Sequence, residues 1–129
     1  MSVSIVETNL KSMHTTALDR YIKAVCNEMG YTVREVKGQS RKREVVDLRH
    51  LLMTIAYMEF NLTCTRVGDY FGHKNHATVL HAKDKIENLL RTNQIDLNLR
   101  QSLIAADQVM LNQWGIKLKT IQEWLTTKQ

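Results

Sequence analysis

Proline is absent from all 129 residues, and glycine occurs only five times. A chain this poor in turn-formers cannot make the many tight reversals of a sandwich or barrel, so helices joined by short loops are expected. The length suits one hydrophobic core and leaves too little for a second. With 43% hydrophobic residues the composition is that of an ordinary globular domain. The densest apolar stretch, 51–58, is interrupted by Thr54 and is far too short to cross a bilayer. No basic leader precedes an apolar core at the N-terminus, so a cytoplasmic protein without membrane attachment is expected. Cys26 and Cys64 lie far apart and form no CxxC pair. They suit free thiols packed as small core residues in a reducing compartment.

Hydrophobic periodicity divides the chain further. Residues 1–14 are polar and aperiodic, which predicts a flexible N-terminal arm. From Thr16 onward Leu18, Tyr21, Ile22, Val25, Cys26 and Met29 recur at helical spacing, and Gly30 ends that helix. Residues 31–36 suit a strand by composition and a single helical turn by context. Residues 38–43, Gly-Gln-Ser-Arg-Lys-Arg, form a flexible basic loop. The 44–60 stretch is apolar nearly all round, which marks a central helix packed on several sides. Thr63 is a plausible N-cap for a short helix over 64–71, residues 72–74 make a turn, and Asn75 caps a longer helix to about residue 93. A further helix is expected over 97–114, followed by Gly115 and a last short helix near 121–125. The predicted class is all-α.

The net charge of +5 is concentrated: residues 34–91 hold eleven basic and seven acidic side chains, and four of the five histidines. Such a field attracts polyanions, nucleic acid foremost, although a solvated basic surface is the plainer alternative. The short helix, glycine turn and longer helix over 63–93 have the layout of a helix-turn-helix, whose second helix enters the DNA major groove by its N-terminal end. Along that second helix Lys74, Thr78, His81 and Lys85 follow steps of four, three and four, so they are expected on one outer stripe. Asn75 and His76 would reach base edges from the first turn, with Asn suited to adenine N6 and N7 and Ala77 to a thymine methyl. His81 would donate to DNA or else be a surface or partly buried histidine.

The segment Val67-Gly68-Asp69-Tyr70-Phe71-Gly72-His73-Lys74-Asn75-His76-Ala77-Thr78-Val79-Leu80-His81-Ala82 closely resembles the C-terminal DNA-binding domain of the bacterial replication initiator DnaA. The most specific part is Phe71-Gly72 followed by His76-x-Thr78-Val79-Leu80-His81-Ala82, and the resemblance extends over about 17–113. It implies a helix-turn-helix bundle related to the Trp repressor fold that binds DnaA-box sequences in double-stranded DNA. It carries an arginine into the minor groove at Arg41 and places base and phosphate contacts at Arg49, His50, Asn75, His76, Ala77, Thr78 and His81. Lys42 and Arg43 would lie beside phosphates. Where the family has Asp-His-Thr-Thr this chain has Asn75-His76-Ala77-Thr78, so an altered base preference is expected. Leu48, His50 and the His73-Lys74 pair depart from it as well.

No GxxxxGK[ST] phosphate loop occurs, so the chain resembles the DNA-reading part of DnaA without its ATPase, and neither enzymatic activity nor a cofactor is expected. His73, His76 and His81 lack zinc-ligand spacing, so no metal is expected. The domain is expected over 15–113, with a helical extension over 114–129. Residues 94–129 carry Trp114, Ile116, Leu118, Ile121, Trp124 and Leu125. These either close the core over the first helix or form a surface for a homodimer or a replication-protein partner. Sequence-specific DNA binding in replication control or transcription is the leading reading. The second is a protein-interaction module acting through the extension.

Overall fold

A computed structural model describes residues 2–119, with side chains from Thr16 onward. Six helices follow one another: α1 (Ser2–Met29), α2 (Val33–Lys37), α3 (Arg43–Met58), α4 (Cys64–Tyr70), α5 (His76–Arg91) and α6 (Leu97–Trp114). The described residues contain no strand. None of their helices is long and apolar enough to cross a membrane. The short helix expected near 121–125 lies outside the described residues.

Local chemistry sets most of these boundaries. Helical backbone runs back to Ser2, through the segment expected to be a loose arm. At the other end of α1, Gly30 takes φ +81°, a left-handed conformation that suits glycine and stops the helix. The ambiguous 31–36 stretch resolves into a single helical turn, because Thr32 and Glu35 form a reciprocal capping box with both hydrogen bonds at 3.1 Å. Thr63 caps α4 by accepting the Arg66 amide at 3.2 Å. Gly115 at φ +68° ends α6.

The central helix is α3, as its apolar surround predicts. Leu48, Leu51, Leu52, Met53, Ile55 and Ala56 are all fully buried, and α2, α4, α5 and α6 pack against it. On the far side α1 lies along α6. Tyr21, Phe60 and Trp114 meet there with ring centroids 5.5–6.2 Å apart, and the Tyr21 hydroxyl donates to the Ala106 carbonyl at 2.8 Å. Trp114 therefore closes the core over α1. Beyond Gly115 the chain turns back: Leu118 is fully buried and its amide donates to Asp107 Oδ1 at 3.1 Å.

Candidate nucleic-acid interface

The α4–α5 unit depends on an unusually close backbone approach. Gly68, inside α4, has no side chain, and a Cβ there would lie 2.0 Å from the Lys74 carbonyl oxygen. The Lys74 amide in turn donates to the Gly68 carbonyl at 2.9 Å. Between them Gly72 (φ +86°) and His73 (φ +61°) both adopt left-handed backbone, which folds the turn back on α4. A Cβ on Gly72 would also sit 2.8 Å from the Lys37 carbonyl oxygen. Thus the turn is pressed against both α4 and the end of α2.

This turn delivers the start of α5 to the surface. Asn75 caps the helix, its Oδ1 accepting the Thr78 amide at 2.9 Å and the Thr78 hydroxyl at 3.1 Å. Asn75, His76 and Ala77 are exposed, Thr78 is half-buried, and Leu80 and His81 are exposed farther along. Val79, Ala82, Ile86 and Leu90 face the core, as expected. Along the expected outer stripe His81 is exposed, whereas Lys74, Thr78 and Lys85 are half-buried. Lys74 and Lys85 point to partners on the end of α2 and on α3, and the Thr78 hydroxyl turns back to the Asn75 cap.

Two of the cations expected at DNA make hydrogen bonds within the fold. Lys74 Nζ donates to the carbonyls of Phe71 at 2.6 Å, Gly38 at 3.4 Å and Lys37 at 3.5 Å. Arg49 is buried at 5% exposure, its Nε donating to the Val36 carbonyl at 2.6 Å and its NH2 group to Glu35 at 3.4 Å. Both therefore bind the C-terminal carbonyls of α2, where cations complement the helix dipole. Burial pulls the pKa of each downward. The result fixes the point from which the basic loop departs.

The third inward cation, Lys85, sits between α3 and α5. Its Nζ lies 3.0 Å from Asp47 Oδ1 and 3.1 Å from His50 Nδ1. Burial first, and then the Lys85 ammonium, push the His50 imidazole down to about 4. His50 is thus neutral near pH 7, with Nδ1 as acceptor and the proton on Nε2.

Within the loop the three cations divide. Arg43 pairs with Asp96 at 3.1 Å and Asp47 at 3.8 Å. Because Asp96 also caps α6 by accepting the Leu99 amide at 2.8 Å, Arg43 ties the loop to the last helix. The side chains of Arg41 and Lys42 are exposed and make no hydrogen bond or ion pair among the described residues. Arg41, Arg43 and Lys85 line a cleft of about 370 Å³ together with Asp47 and Asp96.

Arg41, Lys42, Asn75, His76, Ala77 and His81 are therefore the expected site residues left exposed without a buried anchoring role. Acidic side chains bound this surface: Asp84 and Glu87 lie on the second half of α5, 3.6 and 3.1 Å from Lys83 Nζ. A polyanion approaching α5 is consequently favoured at its N-terminal end, where the free amides and positive dipole end also lie. Asp47 and Asp96 were not singled out in the sequence, and Gly68 and Leu80 entered there only as letters of the family signature. A glycine inside a helical segment and the Arg43–Asp47 spacing of four were the available signals. Among the described residues no three histidine, cysteine or acidic side chains come together to hold a metal. Burial pushes the Cys26 thiol up to about 11, which makes it an inert core residue.

Comparison with known proteins bears directly on this surface. The profile described as bacterial dnaA protein helix-turn-helix matches residues 18–86. The chromosomal replication initiator protein DnaA of Synechococcus sp. (strain JA-2-3B'a(2-13)) is 35% identical over 95 residues, covering 73% of this chain and 20% of that protein. The same-named protein of Picosynechococcus sp. is 35% identical over 78 residues, 60% of this chain and 17% of its own length. That of Thermodesulfovibrio yellowstonii is 37% identical over 65 residues, 50% and 15% respectively. The chain thus spans about a fifth or less of the curated relatives it matches. No solved structure matches it.

Proposed function

The chain belongs to the bacterial DnaA helix-turn-helix family, and from that membership we propose that it is a sequence-specific double-stranded DNA-binding protein. It acts in the cytoplasm, in replication control or transcription, and binds without catalysing a reaction. The observation that carries this reading is the pairing of two exposed elements on one rigid support. The capped first turn of α5 offers Asn75, His76 and Ala77 to the major groove, while Arg41 and Lys42 extend from a loop anchored by Lys74 and Arg49. A duplex laid on this face meets base-reading groups at one element and a minor-groove arginine with a phosphate-directed lysine at the other. Its site is a DnaA-box-like sequence with altered base preference.

Replacing Arg41 and His76 separately tests the assignment. Arg41→Ala should weaken binding to every sequence, lower the salt slope by about 1 and reduce A·T preference. His76→Ala should relax discrimination among major-groove variants while leaving the salt slope nearly unchanged. If neither substitution alters binding, the assigned face is wrong.

One observation favours a second reading, protein interaction through the C-terminal segment 94–129. Leu97, Ile104 and Leu111 are 70%, 48% and 38% exposed and spaced seven residues apart, so they lie along one side of α6. In this reading the stripe receives DnaA or another replication protein, or else a second copy of the chain. A sedimentation coefficient that stays monomeric at high concentration would remove the dimer version, and capture of a replication protein unaffected by Ile104→Lys would remove the rest.

A further inference from the structure

The cap of α5 leaves the two ends of the Asn75 amide inequivalent. Oδ1 already accepts two hydrogen bonds, from the Thr78 amide at 2.9 Å and the Thr78 hydroxyl at 3.1 Å, so both of its lone pairs are occupied. The cap also fixes which end is which, because only the oxygen can accept from a backbone N–H. Nδ2 keeps two N–H donors that have no partner among the described residues, on an exposed side chain. An asparagine free to use both ends pairs with adenine, accepting from N6 and donating to N7. Here the accepting half is taken by the helix, so the adenine pairing expected from residue type alone is denied.

We propose that Asn75 is a specificity-determining residue that selects a keto base, guanine or thymine, over an amino base at one position of the major groove. The inference rests on the DNA-binding reading of α5. In the major groove guanine shows the acceptors O6 and N7 and thymine shows O4, whereas adenine and cytosine show an exocyclic amino donor. Nδ2 donates to a keto base. Against an amino base it sets donor against donor and leaves both without a partner in a desolvated contact. Adenine N7 remains an acceptor, but the neighbouring N6 amine then lies against the second N–H. The choice is therefore made by the hydrogen bonds inside the cap, through the orientation they impose.

Asn75→Asp isolates the effect. Aspartate caps a helix about as well as asparagine, so the fold and the start of α5 are retained. Its free oxygen is an acceptor, which reverses the demand on the base. The full-length chain and its Asn75→Asp variant are each used to select sequences from a random duplex pool at near-physiological salt. The two motifs should coincide except at one base pair, where the strand carrying the keto base and the strand carrying the amino base exchange places. Duplexes differing only at that pair should show preferences that cross over between the two proteins, by roughly five- to a hundredfold in affinity. In the duplex preferred by wild type, the amino base of that pair is then replaced by its analogue without the exocyclic amine, deoxynebularine or 2-pyrimidinone deoxyriboside. Wild-type affinity should hold, whereas a loss larger than that of the variant on the same duplex would mean that Asn75 reads the amine. Either that loss or identical motifs from both proteins would overturn the assignment while leaving DNA reading intact. No enriched motif from either protein would overturn the DNA-binding reading itself, and the assignment with it.

Discussion

Substituting Gly68 separates helix propensity from packing in sign. In the interior of a helix alanine is favoured over glycine by about 1 kcal/mol, so Gly68→Ala would stabilise α4 if nothing lay nearby. The structure places the Lys74 carbonyl oxygen 2.0 Å and its carbon 3.0 Å from where the new Cβ would be. Carbon–oxygen contacts below 3.0 Å are essentially never seen, so the carbonyl must retreat by about 1 Å. That peptide cannot move alone, because Lys74 binds the carbonyls of Phe71, Gly38 and Lys37 and immediately precedes the α5 cap. Overpacking of this kind costs about 1–3 kcal/mol. Set against the propensity gain, a net loss of about 1–2 kcal/mol is expected at the upper end of that range. Urea denaturation followed by circular dichroism should show a lower midpoint with an unchanged slope. DNA affinity of the folded variant should fall as well, because the start of α5 shifts relative to the basic loop. A midpoint that rises, with DNA affinity intact, would refute the close approach on which the placement of α5 rests.

Other perturbations separate positioning groups from reading groups. Arg49→Met should cost about 1–3 kcal/mol of stability through the α2 carbonyls it leaves without a donor, whereas Arg41→Ala should stay within about 0.5 kcal/mol of wild type; equal effects in urea denaturation would contradict the burial of Arg49. His50 binds a proton in the unfolded chain near its ordinary 6.5 but in the fold only near about 4. Stability should therefore be level above pH 7 and fall as the pH drops from 6.5 towards 4, and thermal melts of His50→Gln should lack that part of the decline. Asp96→Asn keeps the cap on α6 but removes the carboxylate facing Arg43. It should leave the melting temperature nearly unchanged and tighten DNA binding at low salt, and weaker binding would contradict the tether.

Much of this fold was legible because single residue types dictate it locally. The apolar surround of residues 44–60 marked α3 as central, and Thr63 and Asn75 marked two helix starts through side-chain acceptors that the structure shows in use. What the periodicity of α5 could not convey was its neighbourhood. Helical spacing sets the angle of Lys74 and Lys85 relative to Val79 and Ile86, but not that α3 and the end of α2 pack along that same side. Those partners, Lys37, Asp47 and His50, come from 35 to 38 residues away. The carbonyl partners of Arg49 were hidden for the same reason, since nothing local distinguishes a phosphate-directed arginine from one bound to the carbonyls of another helix. Asn75 and His76, by contrast, are exposed because they begin a helix at a surface turn, which sequence does encode.

The central claim, that the face formed by Arg41, Lys42 and the first turn of α5 reads duplex sequence, is tested most directly by equilibrium competition. A labelled duplex carrying the selected motif is displaced by the same duplex unlabelled, or by one of equal length and composition with the motif scrambled, at several salt concentrations. Both affinities should fall with salt, because both include phosphate contacts, while the selected duplex keeps an advantage of at least about a thousandfold near physiological salt. Equal displacement by the two duplexes at every salt concentration would contradict the claim and reduce this surface to a polyanion-binding patch.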